Sequence, residues 1–415
     1  MLHSAKITDN LMYIGVNDRQ TALFENQWPL PSGISYNSYL MLDEKTCLMD
    51  AVKITEVEGM LENLKNSLNG RPLDYIVVHH VEPDHSSSLD ILMMLYPDAK
   101  LVGNKKTFSF LKNFYGIDQA DHVLVDDGDI LDLGKHKLAF YKTPMVHWPE
   151  SMVSFDTTDG ILFSQDIFGS YGALEGPLFD DEISRWDHYS DEAVRYYVNI
   201  VSKYSMMALR ALDKLSGLDI KMICPDHGPV WRSHPEEILK LYKTLASSKV
   251  DQSVTVIYGS MYGNTENMAD CLVRELSIQG IKDVKLFDVS KTHFSYLEAE
   301  CWKSRGIVLG SCSYDSDLFP PMQAFVNHLD KNKLKNHVLG IFGNYSWSGG
   351  GLKGLKAFAE KQKGMEVIED PQPDALSGPK AEDFAQLRLL AEKVADAVKA
   401  HAEEDEKTSF KLFDK

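Results

Sequence analysis

Hydrophobic and polar positions along the 415 residues follow two different rhythms. Up to about residue 250, short apolar runs alternate with turn signals, as in "KLVGN", "HVLVDDGDILDLGKHKLAFYKT" and "GILFSQD". These read as strands, several of them paired in hairpins. Helical patterns over 86–96 and 191–215 are interspersed, and "EEILKLYKTLASSK" (236–249) reads as a helix leading out of this half. The result is mixed α/β, not a simple βαβ series. From Ser253 the rhythm changes. "SVTVIYG", "DVKLFDVS", "GIVLGS" and "HVLGIFG" are apolar runs separated by helical stretches, the pattern of a doubly wound parallel sheet. An amphipathic helix near 381–402 follows, then a charged tail expected to fray. The predicted organisation is one α/β domain over 1–250, a second over 251–405, and the tail over 406–415.

Polar residues that carry chemistry gather where the strands end. In "HHVEPDHSSSLD" (79–90) the strand "LDYIVV" delivers His80, Glu82, Asp84 and His85 into a loop, and "SSSLDILMML" reads as a Ser-capped helix start. His147 ends "AFYKTPMVHW", Asp166 ends "GILFSQD" and His227 ends "IKMICPDHG". One histidine at a strand end is usually a satisfied core or surface residue. Imidazoles and carboxylates at four strand ends instead form a metal constellation. Its mix of nitrogen and anionic oxygen donors suits iron cycling between ferrous and ferric states better than zinc, and the Asp166 carboxylate can bridge two metals. His79 alternates away from His80 along its strand. Cys224 reads as a packing residue, and His122, His136, His188 and His234 have no motif around them.

In the second half, "SMYGNTENM" follows a strand and opens a helix. Ser260, Tyr262, Asn264 and Thr265 offer hydroxyl and amide donors, Met261 stands among them as a further cofactor-contact candidate, and Gly263 lets the backbone bend close, which makes a phosphate cradle without Lys or Arg. Alone, such a turn is as often a plain helix cap. Two further loops change the weighing. "GSCSYDSDLFP" (310–320) brings Ser311, Cys312, Ser313, Tyr314 and Asp315. "GNYSWSGGG" (343–351) brings Asn344, Tyr345, Ser346, Trp347, Ser348, Gly349 and Gly350. In a doubly wound sheet all three loops gather at the carboxyl edge, at the switch point. There Tyr314 and Trp347 can flank a planar ring while glycine amides reach its polar edge.

Composition narrows the partners. The chain is 44% hydrophobic and 25% charged, as in ordinary soluble globular proteins. No apolar run approaches the roughly 18 residues of a membrane span. The opening "MLHSAKITDN" lacks the regions of a signal peptide, so a cytoplasmic location is expected. A net charge of −18, from 43 basic and 61 acidic residues, argues against nucleic acid as a partner. Cys47, Cys224, Cys271, Cys301 and Cys312 are scattered, with no CxxC pair. They read as reduced thiols and cannot build an iron–sulfur or rubredoxin-type centre within this chain.

The first half resembles the metallo-β-lactamase fold, whose zinc hydrolases carry an HxHxDH loop followed by distant His, Asp and His. Glu82 stands where that loop has its second histidine. The set His80, Glu82, Asp84, His85, His147, Asp166 and His227 resembles the ligand pattern of the flavodiiron proteins, and the three loops resemble flavodoxin. The likeness covers essentially the whole chain and is to the two-domain core type. It implies a metallo-β-lactamase-like αββα sandwich followed by a flavodoxin-like doubly wound sheet. It implies two non-haem irons, oxo- or hydroxo-bridged, held by those seven residues as the catalytic centre, and a bound FMN. In some members the residue at His85 is not a direct ligand.

The activity so implied is reduction of O2 to water, and of NO to N2O, with electrons from an external donor such as rubredoxin or an equivalent reductase. Four electrons are needed for O2, two from a ferrous pair and two from reduced FMN; two NO need two. O2 is the expected main substrate. NO as main substrate, and a hydrolase fused to a flavodoxin, are the other readings; Glu82 and the flavin loops speak against the hydrolase. Phe24, Glu25, Trp28 and Lys53 are further candidates for a gas pocket. The family likeness also implies a head-to-tail homodimer, or a dimer of dimers, with the FMN of one chain facing the irons of the other.

Overall fold

The structure, a computed structural model, describes residues 4–118 and 121–413, with side chains described as far as residue 402. They form two compact units, Met1–Ala246 and Ser247–Lys415.

The first unit is built on two sheets. One has seven strands in the order Ala5–Lys6, Leu11–Tyr13, Tyr39–Leu42, Thr46–Met49, Tyr75–Val77, Lys100–Gly103 and Val123–Leu124. Its first four strands are antiparallel and the rest join in parallel. The other sheet runs Ile130–Asp132, Lys137–Lys142, Met152–Asp156, Ile161–Gln165 as an antiparallel meander, with Met222–Pro225 added in parallel. A shared core takes Leu11, Tyr39, Met41 and Val77 from the first sheet and Leu138, Phe140 and Phe163 from the second. Thr46–Met49, Met152–Asp156 and Ile161–Gln165 are buried at every position. Strands buried on both faces need a covering layer outside the core, which gives the αββα layering. The ligand-bearing loops all leave strand ends of this sandwich.

Two expectations are corrected here. The stretch 191–215 is not one helix. A helix over Trp186–Tyr196 passes through a π turn, Tyr197–Val201, and a 3-10 turn, Ser202–Tyr204, before Ser205–Leu215. The irregularity lets adjacent Tyr196 and Tyr197 both be fully buried yet bond in different directions, to Asp166 and to Ser205. Nor does a serine cap the helix Leu89–Leu95. Ser86 Oγ donates to the carbonyls of Val81 and Glu82, and Ser88 Oγ to that of Val52 at 2.6 Å. The serines tie the ligand loop down by bonding to the backbone.

The second unit is a parallel sheet in the order Asp283–Asp288, Asp251–Gly259, Ser304–Tyr314, His337–Tyr345 and Met365–Val367, the 2-1-3-4-5 winding of flavodoxin. Its core packs Val254, Val256 and Val308 against Met268 and Leu272 of the helix Asn264–Ile278 and Leu390 and Val394 of the closing helix. That closing helix runs Ala381–Phe413, into the tail expected to fray, whose side chains lie outside the described residues. Among the described residues no helix is long and apolar enough to cross a membrane.

Candidate metal centre and flavin cleft

The seven singled-out residues of the first unit converge. His80 and Glu82 leave the strand Tyr75–Val77, and the single turn Pro83–Ser86 carries Asp84 and His85. Asp166 and His227 follow Ile161–Gln165 and Met222–Pro225, neighbours in the second sheet. Gln165 Nε2 donates to the Val146 carbonyl at 2.6 Å, fastening the His147 loop to the strand that delivers Asp166.

Two donor sets result. His80, Glu82, His147 and Asp166 each present an atom within 4.8 Å of one another, as do Asp84, His85 and His227. In the first set Glu82 Oε2 lies 3.1 Å from His80 Nε2 and 3.0 Å from His147 Nε2, and Asp166 Oδ2 lies 3.2 Å from both. Asp166 turns its other oxygen to the second set: Oδ1 is 3.0 Å from His85 Nε2 and 3.3 Å from His227 Nε2. Asp84 Oδ2 is 3.3 Å from His85 Nε2 and 3.4 Å from His227 Nε2. Donor atoms at such separations enclose a point roughly 2 Å from each, the length of a metal–nitrogen or metal–oxygen bond.

Electrostatics agrees with a place for cations. Asp84 Oδ1 and Oδ2, Asp166 Oδ2 and His227 Nε2 are buried with no hydrogen-bond partner. Burial opposes charge on these imidazoles, yet the surrounding carboxylates outweigh it. His85 is pushed up to about 9 by Asp84, Asp166 and Asp226. His147 and His227 rise to about 10, the first through Glu82 and Asp166, the second through Asp166 and Asp84. Burial alone would raise Asp166, and the facing histidines hold it well below the carboxylate range. Metal ions can take the place of those protons.

Partners outside the donor sets orient them. His80 Nδ1 hydrogen-bonds Glu150 Oε1 at 2.7 Å, His227 Nδ1 the Ser35 carbonyl at 2.7 Å, and Tyr196 Oη donates to Asp166 Oδ1 at 3.0 Å. Sequence reading missed Glu150, Ser35 and Tyr196. The one available signal was the position of Glu150, three residues beyond His147 in "HWPE".

The other candidates sort themselves. His79 turns away to Asp50 and, at 2.8 Å, to Ser154 Oγ. Cys224 is buried in the core. His136 bonds Asp156, whose oxygens also take the Thr158 and Asp159 amides of a turn. The Phe24 ring meets His227 edge-on at 5.5 Å. Glu25 accepts from Trp28 Nε1 at 2.8 Å, and its carboxyl is raised to about 7 by burial and then by Glu82. Lys53 Nζ instead reaches Thr21 Oγ1 at 3.0 Å and Asp18 at 3.8 Å.

In the second unit the three loops line one cleft. Ser260, Met261, Tyr262, Asn264 and Thr265 meet Cys312, Ser313, Tyr314 and Asp315, and the third loop adds Asn344, Tyr345, Ser346, Trp347 and Ser348. Ser316 lines it too and was not foreseen. Gly263, Ser311, Gly349 and Gly350 are not among the residues lining the cleft, but Gly263 and Gly350 shape it. Gly263 is left-handed (φ 88°) at the helix N-cap, and the amides of Gly350 and Gly351 donate to Ser313 Oγ at 2.9 and 2.8 Å. A Cβ at Gly350 would meet the Asp317 backbone nitrogen at 2.3 Å. Thr265 Oγ1 is buried without a partner at the start of the helix Asn264–Ile278. A free hydroxyl beside helix N–H groups fits a phosphate. Trp347 and Tyr314, 86% and 45% exposed, leave their faces free for a flat ring.

Comparison with known proteins bears on both units. A family model described as ODP family beta lactamase matches residues 34–228, and one described as flavodoxin matches residues 256–383. The chain is 32% identical over 398 residues to a nitric oxide reductase of Moorella thermoacetica, covering 95% of this chain and 99% of the relative. Among solved structures, the rubredoxin oxygen:oxidoreductase of Desulfovibrio gigas superposes with a TM-score of 0.91 at 29% identity, over 96% of this chain and 99% of that one. The flavodiiron protein of Giardia intestinalis gives 0.92 at 26% identity, over 97% and 98%. Likeness at that level along nearly the full length decides membership: the chain belongs to the flavodiiron protein family, oxidoreductases whose cofactors are a non-haem iron pair and FMN.

Proposed function

We propose that this protein reduces O2 to water as its main reaction and NO to N2O more slowly. The observation that carries the reading is the pair of donor sets sharing Asp166, in one chain with a flavin cleft. His80, Glu82 and His147 would hold one iron; Asp84, His227 and His85 the other; Asp166 would span both. When bound, the irons and FMN supply the electrons and the open positions for the gas. The chain supplies the setting. Tyr196 fixes the shared carboxylate through its hydrogen bond. Phe24 meets Tyr171 and His227 edge-on, Tyr171 meets Tyr196 edge-on, and Tyr196 lies tilted beside His227, so that buried aromatic rings would line that flank. In the other unit the 260–265 loop would seat the FMN phosphate, with Tyr314 and Trp347 beside the ring.

Electrons would come from a separate donor, rubredoxin or an equivalent reductase, in the cytosol, and the working unit would be a head-to-tail homodimer. The Moorella relative named for nitric oxide supports the reverse gas preference. Anaerobic turnover of iron- and FMN-loaded protein, with O2 and NO supplied separately through one donor, tests both. A higher kcat/KM for O2 is expected; a higher value for NO reverses the assignment, and no turnover of either gas removes it.

A further inference from the structure

His80 and His227 reach the two donor sets through Nε2, but their other nitrogens are backed differently. His80 Nδ1 bonds a carboxylate, Glu150; His227 Nδ1 bonds a neutral carbonyl, that of Ser35; both distances are 2.7 Å. His85 Nδ1 lies 3.4 Å from Asp226 Oδ2 and makes no hydrogen bond. Glu150 is 1% exposed. Its Oε1 also accepts from the Val81 amide at 3.0 Å, while Oε2 has no hydrogen-bond partner. Its backbone is anchored as well: the Glu150 carbonyl accepts from Asn104 Nδ2 at 2.6 Å, and Asn104 Oδ1 caps the helix Lys105–Tyr115. Among the described residues the ion pair recorded for Glu150 is with His80. A buried carboxylate with one oxygen unpartnered is costly unless a positive charge lies within reach. The donor set behind His80 is where that charge would sit.

We infer that Glu150 is a positioning residue that fixes the His80 ring for the metal and makes the position served by His80, Glu82, His147 and Asp166 the lower in redox potential of the two. The inference rests on the diiron reading. A carboxylate acceptor on Nδ1–H makes an imidazole a stronger donor at Nε2 than a carbonyl does. The stronger donor favours the ferric over the ferrous ion at that position. Oxidation removes one electron from each ferrous ion; in a titration the electron passes to a soluble mediator.

The test is an anaerobic redox titration of the full-length protein loaded with iron and FMN, followed by EPR and Mössbauer spectroscopy. Wild type is compared with Glu150→Gln, which keeps the acceptor oxygen and removes the charge, and with Glu150→Asp. Two separate one-electron iron steps are expected in wild type. In Glu150→Gln the lower step should rise by about 59 mV or more, the equivalent of a tenfold loss of ferric preference, with the upper iron step and the FMN steps unmoved. Iron-replete Glu150→Gln with both steps unmoved, or with both moved equally, overturns the inference. If Glu150→Gln loses iron, retention by Glu150→Asp supports the role of the charge, and equal loss from both variants refutes it. Wild type without an iron pair would sink the diiron reading itself; full wild-type iron with an unmoved Glu150→Gln sinks this inference alone.

Discussion

Glu82 is the residue on which the proposed metal identity turns. Its Oε2 sits within 3.1 Å of both His80 Nε2 and His147 Nε2, so it is a full member of the first donor set. Glu82→His would put a neutral nitrogen there and recreate the HxHxDH loop of the zinc hydrolases. The expected outcome is a shift from iron toward zinc in elemental analysis, because the anionic oxygen that favours iron is gone. Gas reduction should fall roughly tenfold or more, the scale on which metal sites respond to altered ligation. FMN content should not change, since the cleft lies in the other unit. Unaltered iron content and turnover would mean that Glu82 does not hold metal. This residue was legible in the sequence because a carboxylate between histidines at a strand end has few structural uses. Glu150 and Tyr196 were not. Each does its work on a partner far along the chain, and nothing beside either residue announces that partner.

At the scale of elements, strands were easier to read than the joins between them. Apolar runs marked the three central parallel strands of the second unit because those strands are buried on both faces over most of their length. The π turn at Tyr197–Val201 was invisible, because one extra residue per turn barely disturbs a helical hydrophobic pattern over so short a stretch. The short strand Asp374–Leu376 offers a test of its own. It runs beside the end of His337–Tyr345, and a Cβ at Gly343 would lie 2.6 Å from Asp374 Oδ1, an oxygen with no hydrogen-bond partner. Burial lifts the Asp374 carboxyl from an ordinary 3.8 to about 6, against the pull of Lys356. A folded pKa above the unfolded one means that the proton favours the fold. That stabilisation is complete below about pH 4 and is lost as pH rises through 6. Asp374→Asn should therefore raise Tm at pH 7.5 and leave it nearly unchanged at pH 4. Discounted for the partly open position, the gain is on the order of 1 kcal/mol, or about 2–4 °C. Thermal melts of both proteins across that pH range, followed by circular dichroism, check the sign; a lower Tm at pH 7.5 would contradict it.

For the whole molecule, two compact units with different chemistry raise the question of how electrons pass from flavin to metal. A mixed dimer tests the proposed inter-chain route. One chain carries Asp166→Ala, which removes the carboxylate common to both donor sets. The other carries Thr265→Asp, which sets a negative charge where the phosphate would bind. Neither homodimer should turn over. If electrons cross between chains, the mixed dimer holds one complete pair of sites and should recover up to half of the wild-type rate per dimer. A dead mixed dimer with both cofactors present would refute the route. The two-unit division was readable from the change of rhythm near residue 250. Oligomeric state was not, because no hydrophobic pattern separates a face that meets another chain from one that meets solvent.

The candidate metal ligands come from both sheets of the first unit: His80, Glu82, Asp84 and His85 from beyond the strand Tyr75–Val77, and His147, Asp166 and His227 from loops of the other sheet. No single sheet holds a complete donor set. During synthesis, therefore, the nascent chain would lack the first donor set until Asp166 has emerged and the second until His227 has, and each set needs the second sheet closed on the first. A chain stalled between residues 166 and 227 would carry one donor set and lack the other, so the two-metal centre would be completed only late in synthesis.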